Sequence, residues 1–250
     1  RRLAAADVAA RTAACGLQTI EWGGDVHVPH GDTAAARQVK KVTEEHGLSV
    51  SGYGSYYRLG VSEPEGLSFS AVRDSALALG APDIRVWAGN RGSAQCDQRV
   101  RAAIVEDGRR ICERAAADNL TVSLEYHANT LTDTTDSARR LLEEIGHPAI
   151  GTYWQPPNGM PTEECAAGLA AVLAQVRSVH IFHWWPTPRD RRPLEDGEDR
   201  WMTFLNMLAA DRRNHPCLLE FLKDNDPDRL AADARTLREW LTRIPPPPAA

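Results

Sequence analysis

The feature that most constrains what this chain can fold into is a rhythm. Short β-type runs recur along it at residues 17–22, 48–53, 84–87, 121–126, 150–154, 178–182 and 217–221, and a helix-like stretch follows each one. Successive runs begin roughly 30 to 40 residues apart, the span of one βα unit with its loops. Strict alternation demands a parallel sheet with helices outside it, because parallel neighbours need a long crossover connection. The intervening segments carry helix punctuation: Asp32 is placed to cap a helix that stops at Gly47, and Asp133 one that stops at Gly146. Residues 97–118, 161–176, 199–211 and 227–244 read as further amphipathic helices. No linker breaks the rhythm, so residues 1–244 read as a single domain and the Pro-rich residues 245–250 as an unstructured tail.

An open doubly wound sheet and a closed barrel both satisfy this pattern. A helix over residues 4–14 precedes the first run; a strand upstream of Arg1 would raise the count from seven to eight and close a barrel. No GxGxxG or GxxxxGK[ST] loop follows any run, which removes the usual nucleotide-binding forms of the open sheet. The expectation is an α/β fold, a (β/α)8 TIM barrel whose first strand is missing from the N-terminus. With 250 residues there is material for one such domain. No apolar run approaches the roughly 20 residues of a membrane span. Lys and Arg number 29 against 34 Asp and Glu, a net charge of −5 without a basic block, so neither nucleic acid nor a membrane is expected as a partner. Five cysteines without a CxxC pair point to a reducing, cytoplasmic location.

In a barrel of this kind chemistry sits at the C-terminal ends of the strands. Four polar residues fall there: Glu125, Gln155, His180 and Glu220. Two carboxylates, an imidazole and an amide oxygen suit a divalent metal ion, Mn, Mg, Co or Zn. Taken singly, each has a plainer explanation. A strand histidine is usually a hydrogen-bonded core residue, and Glu220 could pair with a barrel arginine such as Arg85. Four in order on successive strands favour the metal. His127, His183, Lys223 and, on the third run, Arg85 are candidate substrate contacts, as is His27 in the glycine-rich loop GGDVHVPHGD. Trp22, Trp87, Trp154 and the pair Trp184–Trp185 also stand at strand ends, where flat indole faces stack on the C–H face of a sugar ring or simply plug the barrel.

The stretches IEWGGDVHVPHGD, LEYHANTLTDT, TYWQPP, HIFHWWP and LLEFLKDND resemble the xylose isomerase-like barrel superfamily, and within it bacterial sugar phosphate isomerase/epimerase proteins. The resemblance extends from Gly16 to Asp226. It implies metal ligands at Glu125, Gln155, His180 and Glu220, and proton transfer by Glu125 and Glu220 on opposite faces of the substrate. The expected activity is therefore metal-dependent isomerisation or epimerisation of a sugar or sugar phosphate through an enediolate. A lyase or dehydratase acting on a keto-sugar, cyclitol or sugar conjugate is the second reading, and an inactive ligand-binding barrel the third. Two departures stand out. Gln155 replaces the usual Asp, and Trp184, Trp185 and Pro186 fill the stretch where the epimerases carry a substrate-binding Arg; Arg189, Arg191 and Arg192 follow shortly after. The three-zinc site of the related apurinic endonucleases finds too few ligands here. A small-molecule carbohydrate is the expected partner, with homo-oligomerisation open.

Overall fold

The computed structural model describes residues 3–244; the segment 245–250, expected to be a tail, lies outside the described residues. The chain divides into two compact units, Arg1–Tyr153 and Trp154–Ala250.

The first unit runs α1 (Ala5–Ala14), β1 (Thr19–Gly23), α2 (Thr33–Glu45), β2 (Ser49–Arg58), α3 (Phe69–Leu79), β3 (Asp83–Trp87), α4 (Gln98–Ala116), β4 (Thr121–Glu125), α5 (Thr135–Ile145) and β5 (Ile150–Trp154). Neighbouring strands pair in parallel, with Trp22 beside Tyr53, Gly54 beside Arg85, Arg85 beside Ser123 and Glu125 beside Tyr153. Apolar residues fill both faces of the sheet, as a parallel sheet covered by helices requires. Ile84, Val86, Val122 and Leu124 are fully buried, each worth about 1.5–3 kcal/mol of transfer free energy.

Helix ends follow local chemistry. Asp32 caps α2 as expected, its Oδ1 accepting from Ala35 N at 2.9 Å. The cap of α5 is a correction: Thr134, not Asp133, accepts from the Ser137 amide. Asp133 Oδ2 instead accepts from Ser93 N at 2.9 Å and ties the loop after β3. Helix α3, expected after the second run but without bounds, starts at a Ser68 cap, and Gly80, at φ 74°, ends it in the left-handed conformation that glycine adopts without a Cβ clash.

The second unit continues from Trp154 through α6 (Thr162–Val172), β6 (Val176–Ile181), β7 (His183–Trp184), β8 (Arg191–Arg192), α7 (Glu198–Ala210), β9 (Cys217–Leu219) and α8 (Leu230–Arg243). Strands β6 and β9 pair in parallel, His180 beside Leu218. Strands β7 and β8 form a small antiparallel ribbon, Trp184 beside Arg191. Within the first unit the strands follow one another as β1-β2-β3-β4-β5, each next to its sequence neighbour, which is the order a right-handed βα progression produces. Among the described residues, no helix is long and apolar enough to cross a membrane.

Candidate active site

The first unit carries a buried chain of charge at its strand ends. Alternation along β1 sends Glu21 and Trp22 to opposite faces. Glu21 Oε1 accepts from Arg85 Nε at 2.6 Å, and Arg85 Nη1 donates to Glu125 Oε2. Trp87, two residues beyond Arg85 and so on the same face of β3, donates its Nε1 to that same oxygen. The Glu21, Arg85 and Glu125 side chains are only 11%, 6% and 5% exposed. Strand β2 lies between β1 and β3, and Gly54 gives the room: a Cβ there would stand 2.5 Å from Arg85 Nη2 and 2.7 Å from Glu21 Oε1. His127 stacks on the Trp87 indole with centroids 4.4 Å apart, Tyr56 meets it edge-on at 5.6 Å, and the Arg58 guanidinium lies 4.9 Å from it. Tyr56 adopts φ 56°, a left-handed conformation that a bulky side chain takes only under constraint.

In the second unit three donor atoms converge. His180, buried near the end of β6, places Nδ1 3.0 Å from Gln155 Oε1 and 3.3 Å from Glu220 Oε2. The register of β9 sets the last of these, because Glu220 N donates to Ile181 O at 3.0 Å and its side chain emerges one step past the strand. Gln155 follows β5 directly. Those separations have a physical meaning: ligands bound at about 2.1–2.3 Å and at right angles to one another lie roughly 3.0–3.3 Å apart. The cluster thus fits the edges of an octahedral or near-octahedral coordination shell.

Around it, His183 is buried in β7 against Gly197, where a Cβ would come within 2.5 Å of Nδ1. Burial, reinforced by the Arg200 and Arg192 charges and opposed by Asp196, holds its imidazole below the ordinary histidine pKa. Arg191 is clamped between aromatics, its guanidinium 4.5 Å from the Trp184 ring and 5.2 Å from Phe221, and its Nη1 donates to Asn225 Oδ1 at 3.0 Å. No ion pair joins it to a carboxylate among the described residues. Phe221, next to Glu220, has φ 54° and is 40% exposed.

Other expected contacts are engaged elsewhere. Trp22 is 1% exposed and donates to Thr43 Oγ1 on α2, while Trp154 is fully buried edge-on against Phe204 of α7. Both indoles are taken up in packing against helices. His27 is tethered by the Leu3 carbonyl at 2.9 Å and packed on Trp22. Lys223 lies in a short 3-10 turn near Asp224. Glu21, Tyr56 and Phe221 went unnoticed in the sequence; the signal for Glu21 was its place beside the outward-facing Trp22.

The alternating chain and its parallel sheet define a class, the α/β barrels. Within that class, the chain belongs to the xylose isomerase-like TIM barrel family, whose model matches residues 9–244. A stretch of 67 residues is 49% identical to 3-dehydroshikimate dehydratase of Bacillus anthracis; it covers 27% of this chain and 24% of that protein, so the match spans about a quarter of the relative's length. Among solved structures, a probable 3-DHS dehydratase from Bacillus anthracis aligns with a TM-score of 0.75 at 21% identity, covering 95% of this chain and 94% of that one. A xylose isomerase-like TIM barrel protein from Mycobacterium smegmatis in complex with magnesium gives 0.74 at 16% identity, with 96% and 90% covered. The 3-keto-D-glucoside 4-epimerase of E. coli gives 0.71 at 17%, with 95% and 94% covered. At these identities the structures establish the shared fold, whose members include both dehydratases and epimerases.

Proposed function

We propose that this chain is a divalent-metal-dependent dehydratase that removes water from a hydroxylated cyclic ketone bearing an acidic group. The observation that carries the reading is the convergence of Gln155, His180 and Glu220 at coordination spacing. Glu125 completes the ligand set, which then offers two carboxylates, one imidazole and one amide oxygen. When bound, the cation supplies Lewis-acid polarisation of the substrate's carbonyl.

The protein's own groups divide the remaining work. Arg85 and Trp87 both donate to Glu125 Oε2 and fix that carboxylate as a ligand. Glu220, with its side chain 25% exposed, takes the proton α to the ketone. As the C–H bond breaks, a C=C bond forms and the β C–O bond breaks; the carboxylic acid of Glu220 returns its proton to the departing hydroxyl, and water leaves. Arg191, held by two rings and an amide, meets the substrate's acidic group. His127 and His183 orient hydroxyls. The unequal settings of the two glutamates and the 49% identical stretch favour dehydration. The second reading, epimerisation of a sugar, uses both glutamates as bases, and the 4-epimerase fold neighbour supports it.

The test is to strip the protein with a chelator, reload it with Mg²⁺ or Mn²⁺ and supply 3-dehydroshikimate in deuterated water. The expected result is loss of water with a new conjugated chromophore, and an Arg191→Met variant whose KM rises about tenfold or more with kcat little changed. In a parallel assay supplied with a ketose, solvent deuterium entering the sugar with no water lost from 3-dehydroshikimate would favour the epimerase reading instead. A wild-type protein that retains no divalent ion would overturn both.

A further inference from the structure

We propose that Glu21 is a positioning residue for the metal centre, acting through Arg85 on Glu125; this rests on the metal reading above. The three side chains form one buried line, carboxylate to guanidinium to carboxylate, across β1, β3 and β4. A guanidinium that touches a ligand carboxylate opposes a cation in two ways. It occupies lone pairs of the same oxygen, and its charge repels the ion. Glu21 offsets both effects. Its carboxylate neutralises the guanidinium, and by taking the Nε edge it turns the Nη1 edge toward Glu125, so that the ligand is oriented without a net positive charge behind it.

Gly54 is the second, independent sign of this arrangement. Its Cα faces the Glu21–Arg85 contact so closely that any side chain would enter it, so the pair between the first and third strands passes over a position kept clear of a side chain. A purely structural ion pair in a sheet needs no such aperture, since directly adjacent strands offer cross-strand partners at shorter range.

Glu21→Gln keeps an acceptor for Arg85 Nε and removes the charge. Calorimetry with Mn²⁺ on the chelator-stripped protein should give a Kd about 10- to 100-fold weaker than wild type, the range expected when a residue behind a ligand is altered. In an Arg85→Met background the same substitution should leave the Kd unchanged, because the route to Glu125 is gone. Glu21→Asp, which retains the charge, should recover part of the affinity. A Glu21→Gln protein that melts earlier yet binds Mn²⁺ with the wild-type Kd would show a structural role alone and overturn the inference. So would a full Glu21→Gln effect persisting without Arg85. Should Glu21→Gln not fold, the comparison of Arg85→Met with the double variant decides, since removing both partners of a buried pair is tolerated better than removing one: equal Kd values support the inference and unequal ones overturn it. Wild-type protein that takes up no Mn²⁺ overturns the metal reading itself, whereas wild-type binding with no Glu21→Gln effect overturns this inference alone.

Discussion

Gln155 puts a neutral amide beside His180 where a carboxylate would add charge to the same donor set. Gln155→Glu is nearly isosteric and changes only that charge. Calorimetric Mn²⁺ affinity should tighten by about tenfold, as expected from adding an anionic ligand at unchanged reach; an unchanged or weaker Kd would remove Gln155 from the ligand set. The strand-end residues Gln155, His180 and Glu220 were legible because polar groups inside apolar runs are costly unless they have partners. Which way a strand-end tryptophan faces was not legible from composition. Parity decides it: Trp22 neighbours the inward Glu21 and Trp154 neighbours Gln155, so both indoles point to the helices. Glu21 escaped notice because its partner lies two strands away, across a gap that only a glycine opens.

Among the elements, alternation located all seven long strands, and it shortened one of them. Strand β2 runs on to Arg58, past the end expected at residue 53, because glycines and serines in SGYGSYY depress strand propensity, while pairing with β3 breaks register after Gly54 and resumes at Arg58 beside Trp87. The ribbon β7–β8 has two residues per strand and gives no periodic signal at all. Helix caps behave as local chemistry. Asp32→Ala and Thr134→Ala should each cost about 1 kcal/mol, seen as lower urea midpoints with unchanged slopes. If Thr134→Ala proves neutral while Asp133→Ala unravels α5, as helix-resolved hydrogen exchange would show, the cap assignment fails. The cap bonds run from Ala35 N to Asp32 and from Ser137 N to Thr134, and neither involves Glu125, Gln155, His180 or Glu220, so neither substitution should alter Mn²⁺ affinity.

At the scale of the whole molecule, the βα alternation made the fold class readable, whereas the division into two compact units left no mark in composition. Stability should depend on acid through His183. Its folded pKa lies below the ordinary value because burial disfavours the imidazolium, so above about pH 6.5 the ring is neutral in both states and contributes no pH dependence. As the pH falls through that value the unfolded chain takes up the proton first, and stability is lost until the folded pKa is passed. Between pH 7.5 and 5.5 the melting temperature of His183→Gln should therefore fall less than that of wild type; parallel curves would contradict this. The left-handed backbones of Tyr56 and Phe221 carry a consequence for laboratory evolution. Glycine at either position would relax the chain by about 1–3 kcal/mol while deleting an aromatic wall beside Trp87 or Arg191. Backbone ease and the aromatic wall pull these two positions in opposite directions, so libraries selected for heat resistance and libraries selected for function should part company first at residues 56 and 221.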